Sequence, residues 1–436
     1  MTDEFGISAL LEPMRINQRN ISNRIVMGPM AAASPEKDGS PSAQTIAFFE
    51  RRARGGVGMI IVGGTVSTKR AYEESPVASV LRMDIDETIP HFRKVTDAVH
   101  AHGVAIISQL TAGFGRMGKP LGNRQLISPS PINVTIPEDQ FPKGFIVPGG
   151  RSTPMPREAT IAEIKAIEEE VIEAAMRARD AGFDGVQVAA QMSYFSASFL
   201  SPHSNWRNDE YGGSAENRGR FHANIVRGIR ERAGPNFIIG LLLPANDYLP
   251  DGQGPQGFAQ VAQEIEKAGL DFVALSNGAY ETMKMSAPET DGAMINSGDA
   301  KVFKKALKVP VMIQGVHDPV FAERAIREGH GDFVMLARQM LADPDYAIKL
   351  RDGRAAEIVK CDRQNLCMRR MVFGMPVRCG VNPEMGRESR ANGGGRPIGR
   401  LVQAPLESVV LSLTGSPTVM GLVGKLATHT QGKRAE

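Results

Sequence analysis

The chain has 436 residues, enough for one large α/β domain and a further segment. Its 51 lysines and arginines nearly balance 48 aspartates and glutamates, and the net charge of +3 favours neither a nucleic-acid partner nor an acidic membrane surface. Three cysteines are too few for a disulfide framework, and neither a signal-peptide core nor an apolar run of the roughly 20 residues that span a bilayer is evident, so we expect a cytoplasmic protein.

Eight short runs rich in Val, Ile, Leu and Met follow one another along the chain, with helix-like patterns between them. Such runs without polar alternation are typical of strands buried on both faces of a parallel sheet. They span residues 24–30, 58–65, 104–110, 185–190, 237–243, 272–278, 309–316 and 332–338. Eight strands that alternate with helices predict a (β/α)8 TIM barrel. An open sheet is the alternative, but the sequence lacks the glycine-rich phosphate turn that it requires after an early strand.

Three further segments have distinct patterns. Residues 1–23 contain short apolar pieces broken by turn residues, which predicts a hairpin that closes the barrel floor. Residues 158–182 repeat apolar positions with the helical period and end at a glycine, which predicts a helix. The connection after the third strand, residues 111–157, is long and rich in Gly and Pro. A loop of this length inside a domain is usually a lid or a binding loop, and disorder is the alternative.

The chain divides into a barrel, residues 1–388, and a linker with a C-terminal tail, residues 389–436. The stretch SRANGGGRPIGR has the composition of a linker. Its GGG run lacks the spacing of a dinucleotide-binding fingerprint, and no strand precedes it. The mildly apolar residues that follow are either a weakly ordered tail or an arm that contacts a second subunit, which leaves a homo-oligomer open.

The most specific motif is YFSASFLSPHSNWRNDEYGGSAENRGRF, which follows the fourth predicted strand and leads into a capped helix start. It resembles the signature of the old yellow enzymes, a family of flavin-dependent oxidoreductases. In a barrel, such strand-to-helix loops lie at the catalytic end. The resemblance extends from about Leu10 to Glu388. The strand endings VGG and LAR are most similar to those of one branch of the family, which contains the dienoyl-CoA reductases and the trimethylamine and histamine dehydrogenases.

The resemblance implies a site for FMN at the carboxyl ends of the strands. In NRIVMGPM, Pro29 and Met30 would contact the flavin through their backbone atoms. Gly64 in VGGT would leave room for the flavin ring. Gln109 would bind the pyrimidine edge, and its amide suits this role because it donates and accepts at once. For Gly64, tight packing at a strand end is the structural alternative.

The resemblance also implies that the FMN phosphate is held by the last two strands, at Gly315 in IQGV and at Ala337 and Arg338 in LARQ. Backbone N–H groups at strand-to-helix turns and a guanidinium group suit a dianion. Tight packing is again the alternative for Gly315, and a solvated ion pair is the alternative for Arg338.

Two departures from the family concern the substrate and the flavin edge. The family clamps the substrate carbonyl with a His pair or a His and an Asn, but Ala189 and Met192 stand at these positions. Neither can donate a strong hydrogen bond. Leu242 stands where the family has an arginine facing the flavin. We therefore expect a substrate pocket of apolar character that includes Ala189, Met192, Leu242 and Tyr280.

A third departure concerns iron. The dienoyl-CoA reductase branch holds a [4Fe–4S] cluster with four cysteines, and Cys367 and Cys379 keep part of that spacing. Arg363 stands where the second ligand belongs, and Cys361 is one residue out of register with the first. A cluster of this type needs four ligands, so we expect no cluster and no metal site. As a fourth departure, we expect no counterpart of that branch's Rossmann domain, because no strand–glycine–helix pattern follows Glu388 in this sequence.

Tyr194 matches the family tyrosine that protonates the substrate carbon, a role that suits a phenol; a packing aromatic is the alternative. Tyr280 and Tyr248 are secondary candidates. These features predict an FMN-dependent oxidoreductase that reduces an activated C=C bond of a small molecule with electrons from NAD(P)H. Two alternatives stay open. The flavin could oxidise an amine, as in a dehydrogenase or demethylase, or the barrel could have lost turnover and act as a binding protein.

Overall fold

The structure is a computed structural model that describes residues 6–391 except 33, 78–79, 143–149 and 373. Eight parallel strands close into a barrel through the pairing of the first with the second. They are β3 (Ile25–Met27), β4 (Met59–Val66), β6 (Ala105–Thr111), β11 (Gly185–Ala189), β12 (Ile238–Pro244), β13 (Phe272–Ser276), β14 (Val311–Gln314) and β15 (Phe333–Leu336). A short strand, β5 (Leu81–Arg82), adds to β4. The predicted (β/α)8 barrel is confirmed.

The N-terminal segment forms the predicted hairpin from β1 (Met14–Ile16) and β2 (Arg19–Ile21). Ile16 and Ile21 are fully buried against side chains that fill the barrel interior. The hairpin therefore closes one end of the barrel with apolar side chains. Strand β3 ends earlier than the apolar run 24–30 suggests, because Pro29 has no N–H group to continue the ladder.

Helices cover the outside of the barrel. The longer ones are α1 (Ala43–Arg54), α3 (Ile89–His100), α4 (Ile161–Asp180), α5 (Ala215–Ala233), α6 (Pro255–Glu266), α9 (Asp299–Ala306) and α10 (Pro319–Arg327). The shorter ones are α2 (Lys69–Glu73), α7 (Met283–Ser286), α8 (Ala293–Asn296), α11 (Arg338–Ala342), α12 (Tyr346–Arg351), α13 (Leu366–Val372) and α14 (Glu388–Ala391). Among the described residues, none of these helices has the length and apolar character needed to cross a membrane.

Helix α4 begins later than the predicted range 158–182. Thr160 caps it and forms a capping box with Glu163, and the two residues before the cap region, Arg157 and Glu158, pair instead as a short strand. Because the capping box satisfies N–H groups at the first turn, it fixes the helix start at Ile161.

The long connection after β6 folds back on itself in its described part. It contains the strands β7 (Ile127–Ser128), β8 (Thr135–Ile136), β9 (Arg151–Ser152) and β10 (Arg157–Glu158). Strands β8 and β9 form an antiparallel pair, and β10 pairs with β7 in parallel. Buried side chains of this connection, such as Val134 and Ile136, pack near Tyr194 and Tyr280. The connection thus covers the barrel end at which the strands finish.

The predicted linker and tail, residues 389–436, lie almost entirely outside the described residues. The described part ends in α14, where Glu388 forms a buried ion pair with Arg52 of α1. Gln44 also contacts Glu388 and Ser389. These contacts anchor the last described residues to the outer helical layer.

Candidate active site

Gln109, at the end of β6, lies beside Gln187 of β11. Both side chains are buried, and Gln109 Nε2 donates a hydrogen bond of 2.8 Å to Gln187 Oε1. The Nε2 group of Gln187 is buried and has no hydrogen-bond partner in the part of the chain that the structure describes. Burying an amide without a hydrogen bond costs free energy, so the glutamine pair requires a further polar partner on this side.

Other buried polar atoms near the carboxyl ends of the strands share this property. The hydroxyl groups of Thr65 and Ser276 and the side-chain oxygen of Asn277 are buried without a hydrogen-bond partner among the described residues. Buried polar groups are normally paired with protein, water or ligand. A bound group with hydrogen-bonding edges, such as FMN, would satisfy them, and in this respect the residues present fit that cofactor.

The first two strands approach closely at this end. Strand β4 contains an irregularity between Val62 and Thr65, and Gly64 within it has a φ of +72°. A Cβ atom on Gly64 would lie 2.9 Å from Ala31 Cα, and one on Gly63 would lie 2.4 Å from the Met30 nitrogen. Packing alone thus accounts for the glycine at position 64. A cofactor role for Gly64, and for Pro29 beside it, stays a prediction.

Gly315 and Arg338 stand at the ends of neighbouring strands, as a phosphate site requires. Gly315 has a φ of +77°, and a Cβ atom there would meet no atom within 4 Å, so its surface is open. Arg338 donates hydrogen bonds to Asn365 Oδ1 at 2.8 Å and to the Pro288 carbonyl at 3.3 Å. Ala337, which precedes it, is partly buried. Helix α11 behind Ala337 has only five residues, so the guanidinium group is the stronger feature for an anion.

A cavity of about 240 Å³ connects these strand ends with the C-terminal segment. Four predicted residues line it: Met30, Met192, Ala337 and Arg338. The other lining residues are Ala31, Ala32, Met283, Ser286, Ala287, Leu341, Cys367, Met368, Met371 and Val377. The lining is dominated by methionine and small apolar residues, which adapt to flat or irregular ligands. A somewhat larger cavity, about 290 Å³, lies between α1 and the segment 381–388, away from the predicted site residues.

Met192 has an unusual backbone. Its φ is +57°, a left-handed conformation that non-glycine residues adopt only when the surroundings enforce it, often at functional sites. Met192 borders both the methionine-rich cavity and a small adjoining one lined by Arg116, Ser193 and His203. Ala189 and Leu242 lie within the barrel strands rather than in the loops above them. They are paired in register on β11 and β12 and are almost fully buried. Leu242 packs in the barrel interior, and neither residue lines the cavity.

Tyr194 and Tyr280 form a pair at the barrel mouth. Their hydroxyl oxygens are 3.0 Å apart, and the Tyr194 ring also packs edge-on against Phe114 at 5.1 Å between centroids. Burial raises the pKa of Tyr194 well above its usual value of 10, and the Tyr280 phenol raises it further. Burial also raises the pKa of Tyr280. Both phenols therefore keep their protons at neutral pH. Tyr248 lies apart, with its hydroxyl 3.2 Å from Asp299.

A buried ionic network, formed by Arg116, Glu281, Ser193 and His203, holds the tyrosine pair. The Arg116 side chain is only 2% exposed and pairs with Glu281 at 2.9 Å. Ser193 Oγ donates to Glu281 at 2.7 Å and accepts from the Tyr280 backbone N–H at 3.1 Å. Burial alone would raise the pKa of Glu281, but His203, Arg116 and Ser193 lower it to about 2. The network joins the loops that carry the two tyrosines.

The cysteine segment places three thiols and one arginine where the resemblance implies cluster ligands. Arg363, at the position of the second ligand, is bonded to Asp291 and His317. Cys361, Cys367 and Cys379 are free thiols of intermediate burial. Within the described part of the chain, no group of three or more His, Cys, Asp or Glu side chains is arranged to hold a metal ion.

The sequence did not single out several residues that the structure brings to this site. Gln187, Ser193, Glu281 and Arg116 belong to separate segments that meet only in the closed barrel. Glu281 directly follows Tyr280, which is the one local signal that could have drawn attention to it. The methionines at 283, 368 and 371 carry no chemical signal in the sequence, since methionine is usually a core residue.

Comparison with known proteins identifies the family of the chain. The model of the NADH:flavin oxidoreductase / NADH oxidase family matches residues 9–357. An NADH oxidase of Thermoanaerobacter brockii is 35% identical over 427 residues, which cover 96% of this chain and 61% of that protein. A cinnamate reductase of Clostridium sporogenes is 31% identical over 414 residues, covering 89% of this chain and 59% of that protein.

A solved structure extends the comparison to the fold. The histamine dehydrogenase of Rhizobium sp. 4-9 superimposes with a TM-score of 0.75 at 26% identity, over 87% of this chain and 53% of that one. The chain thus spans about three fifths or less of the length of these relatives.

Proposed function

Because the chain belongs to the NADH:flavin oxidoreductase / NADH oxidase family, we propose that it binds FMN at the barrel mouth and reduces an activated C=C bond with electrons from NAD(P)H. The old yellow enzyme resemblance predicted from the sequence is confirmed at the level of the family. When bound, FMN supplies hydride transfer between a nicotinamide and the substrate. The remaining steps belong to residues of this chain.

The cofactor part of the proposal rests on the strand ends. Gln109 and Gln187 offer amide groups for an edge of hydrogen-bonding atoms, and the unpaired Nε2 of Gln187 is free to donate. Arg338 lines the cavity and supplies a positive charge for a phosphate. The apolar cavity that Arg338 lines suits a flat ring.

The observation that best supports an ene-reductase is the 3.0 Å distance between the hydroxyl oxygens of Tyr194 and Tyr280. A protonated phenol can give its proton to the alkene carbon next to the one that gains a hydride, and Tyr280 can stabilise the phenolate that Tyr194 then becomes. The network of Arg116, Glu281 and Ser193 positions both phenols. With Ala189 and Met192 in place of polar clamp residues, Tyr194 and Tyr280 are the acidic groups that we assign to this step.

The second candidate is oxidation of an amine, which the resemblance to histamine dehydrogenase supports. Here electrons would flow from substrate to cofactor, and the methionine-rich cavity would take the substituents of the amine. Apolar walls formed by Met192, Met283 and Met371 suit such groups as well as they suit an alkene.

Anaerobic stopped-flow measurements on the FMN-loaded protein separate the two candidates. For an ene-reductase, NADH or NADPH bleaches the visible flavin absorbance, and an α,β-unsaturated acid, ester or ketone restores it. For an amine dehydrogenase, a methylated amine bleaches it without nicotinamide. A protein that binds FMN but responds to neither class would instead support the binding-protein alternative.

A further inference from the structure

The segment that carries Arg363 is held in a strained form against the strand end that bears Arg338. Arg363 and Asn365 both have positive φ values, +54° and +56°. For an arginine this conformation is uncommon and marks a position that the surroundings enforce. Arg338 donates to Asn365 Oδ1 at 2.8 Å, and Cys361 N–H donates to Gln339 Oε1 at 3.0 Å. The segment is thus fixed at both ends to the start of α11.

Two guanidinium groups meet around one carbonyl oxygen. Arg338 Nη2 and Arg363 Nη1 donate to the Pro288 oxygen at 3.3 and 3.2 Å. Burial lowers the pKa of Arg338, and the charge of Arg363 lowers it further. Two cations held this close repel one another in a partly buried place, where charges interact more strongly than in water. An anion between or beside them would remove that penalty.

The protein supplies only part of that negative charge. Asp291 accepts a hydrogen bond from Arg363 and from the backbone N–H groups of His317 and Asp318, at 3.0 and 2.9 Å. Burial and then Arg363 lower the pKa of His317 to about 4, so its imidazole is neutral at pH 7 and accepts from Arg363 at 3.1 Å. Among the described residues, Asp291 is the one carboxylate that we find beside these two positive charges, which leaves one positive charge in excess.

The excess charge lies at the open end of β14. His317 is two residues after Gly315. The space beside the Gly315 Cα is open, and the Gly315 carbonyl accepts a hydrogen bond from Gly292 N–H at 2.8 Å. The hydroxyl of Tyr346 fixes the same turn through the His317 carbonyl at 3.1 Å. Each guanidinium has five N–H donors. The hydrogen bonds within the described residues use three of those of Arg363 and two of those of Arg338.

We propose that Arg363 is a second phosphate-binding residue, and that Arg338 and Arg363 together bind the phosphate group of FMN at the open turn of Gly315. This inference rests on the proposed function, since it takes FMN as the ligand. It assigns a role to a residue that stands where cluster-containing relatives of the branch carry a cysteine. An arginine at this position would bind an anion where those relatives bind a metal.

Titrations with FMN and riboflavin test the proposal, because the two flavins differ only in the phosphate. Apo-protein, prepared as the full chain, is titrated with each flavin while the quenching of flavin fluorescence is followed. Arg363→Met should raise the FMN dissociation constant about tenfold to a hundredfold, the scale of a charge-assisted hydrogen bond. Its riboflavin dissociation constant should change by less than about twofold. Arg338→Met should show the same selectivity.

Arg354→Met is the matched control, because Arg354 is an exposed arginine whose ion pairs, to Asp352 and Glu357, lie on the surface. It should leave both dissociation constants within about twofold. If Arg363→Met weakens both flavins equally, or leaves FMN binding unchanged, the proposal is overturned. If Arg363→Met does not fold, Arg363→Lys takes its place, and an unchanged ratio of the two constants there overturns it as well. If the unaltered protein binds neither flavin, the proposed function itself fails first.

Discussion

The hydroxyl oxygen of Tyr194 lies 3.0 Å from that of Tyr280, across 86 residues of sequence. Tyr194 follows β11, and Tyr280 follows β13, so the pair spans the mouth of the barrel above β12. Burial raises the pKa of both phenols. A hydrogen-bonded pair of protonated phenols can release a proton to a substrate and share the charge that remains.

Tyr194→Phe should separate the two halves of the catalytic cycle. Reduction by NAD(P)H needs no proton from Tyr194, so its rate should be nearly unchanged. Reoxidation by an alkene should slow roughly 100-fold or more, the usual scale of general acid catalysis. Single-turnover absorbance measurements give both rates. The Phe variant keeps the ring that packs on Phe114 and removes only the hydroxyl. Equal losses in both half-reactions would therefore show that the hydroxyl of Tyr194 has a structural role.

The pH dependence of reoxidation should report the raised pKa of Tyr194. A proton donor is active only while it is protonated, so its rate falls as the pH rises through its pKa. Because burial raises that pKa well above 10, the rate of alkene-driven reoxidation should stay level from pH 7 to about 10. Mixing pre-reduced enzyme with alkene at each pH measures this step alone. A decline centred below pH 9 would assign the proton to another group.

Glu281→Gln should destabilise the barrel mouth. The Arg116 side chain is 2% exposed, and removing its partner leaves a buried charge unpaired, which costs about 3–5 kcal/mol. Urea denaturation gives the free energy of unfolding. The double variant Arg116→Met/Glu281→Gln should recover most of the loss, since both charges are then gone. A matched control is Glu264→Gln in the exposed pair with Lys267, which should cost less than about 1 kcal/mol.

Anaerobically prepared protein should contain no iron–sulfur cluster. Arg363 is bonded to Asp291 and His317 rather than open to a metal, and Cys361, Cys367 and Cys379 supply fewer than four thiolates. Assays for iron and acid-labile sulfide should give values far below one cluster per chain. Stoichiometric iron and sulfide would mean that another group completes the ligand set.

The sequence predicts the barrel because its evidence is local. A strand buried on both faces needs a continuous apolar run, and a floor hairpin needs turn residues between short apolar pieces. Ile16 and Ile21 illustrate the hairpin, because they lie on its two strands and pack against the barrel interior. The partners of the site residues were not predictable in the same way. Nothing near Arg116 in the sequence indicates that Glu281 will neutralise it, because that pairing exists only after the barrel closes. Likewise, Arg363 at a position where the resemblance implies a cysteine predicts that no cluster binds, but nothing in the sequence predicts its contact with Pro288.

The most direct test of the account is the visible spectrum of the FMN-reconstituted protein during an anaerobic cycle. We predict that the protein retains about one FMN per chain, that NADH or NADPH bleaches the flavin absorbance, and that an α,β-unsaturated compound restores it. A protein that cannot retain FMN after reconstitution, or whose bound FMN is bleached by a methylated amine but never by either nicotinamide, would contradict it.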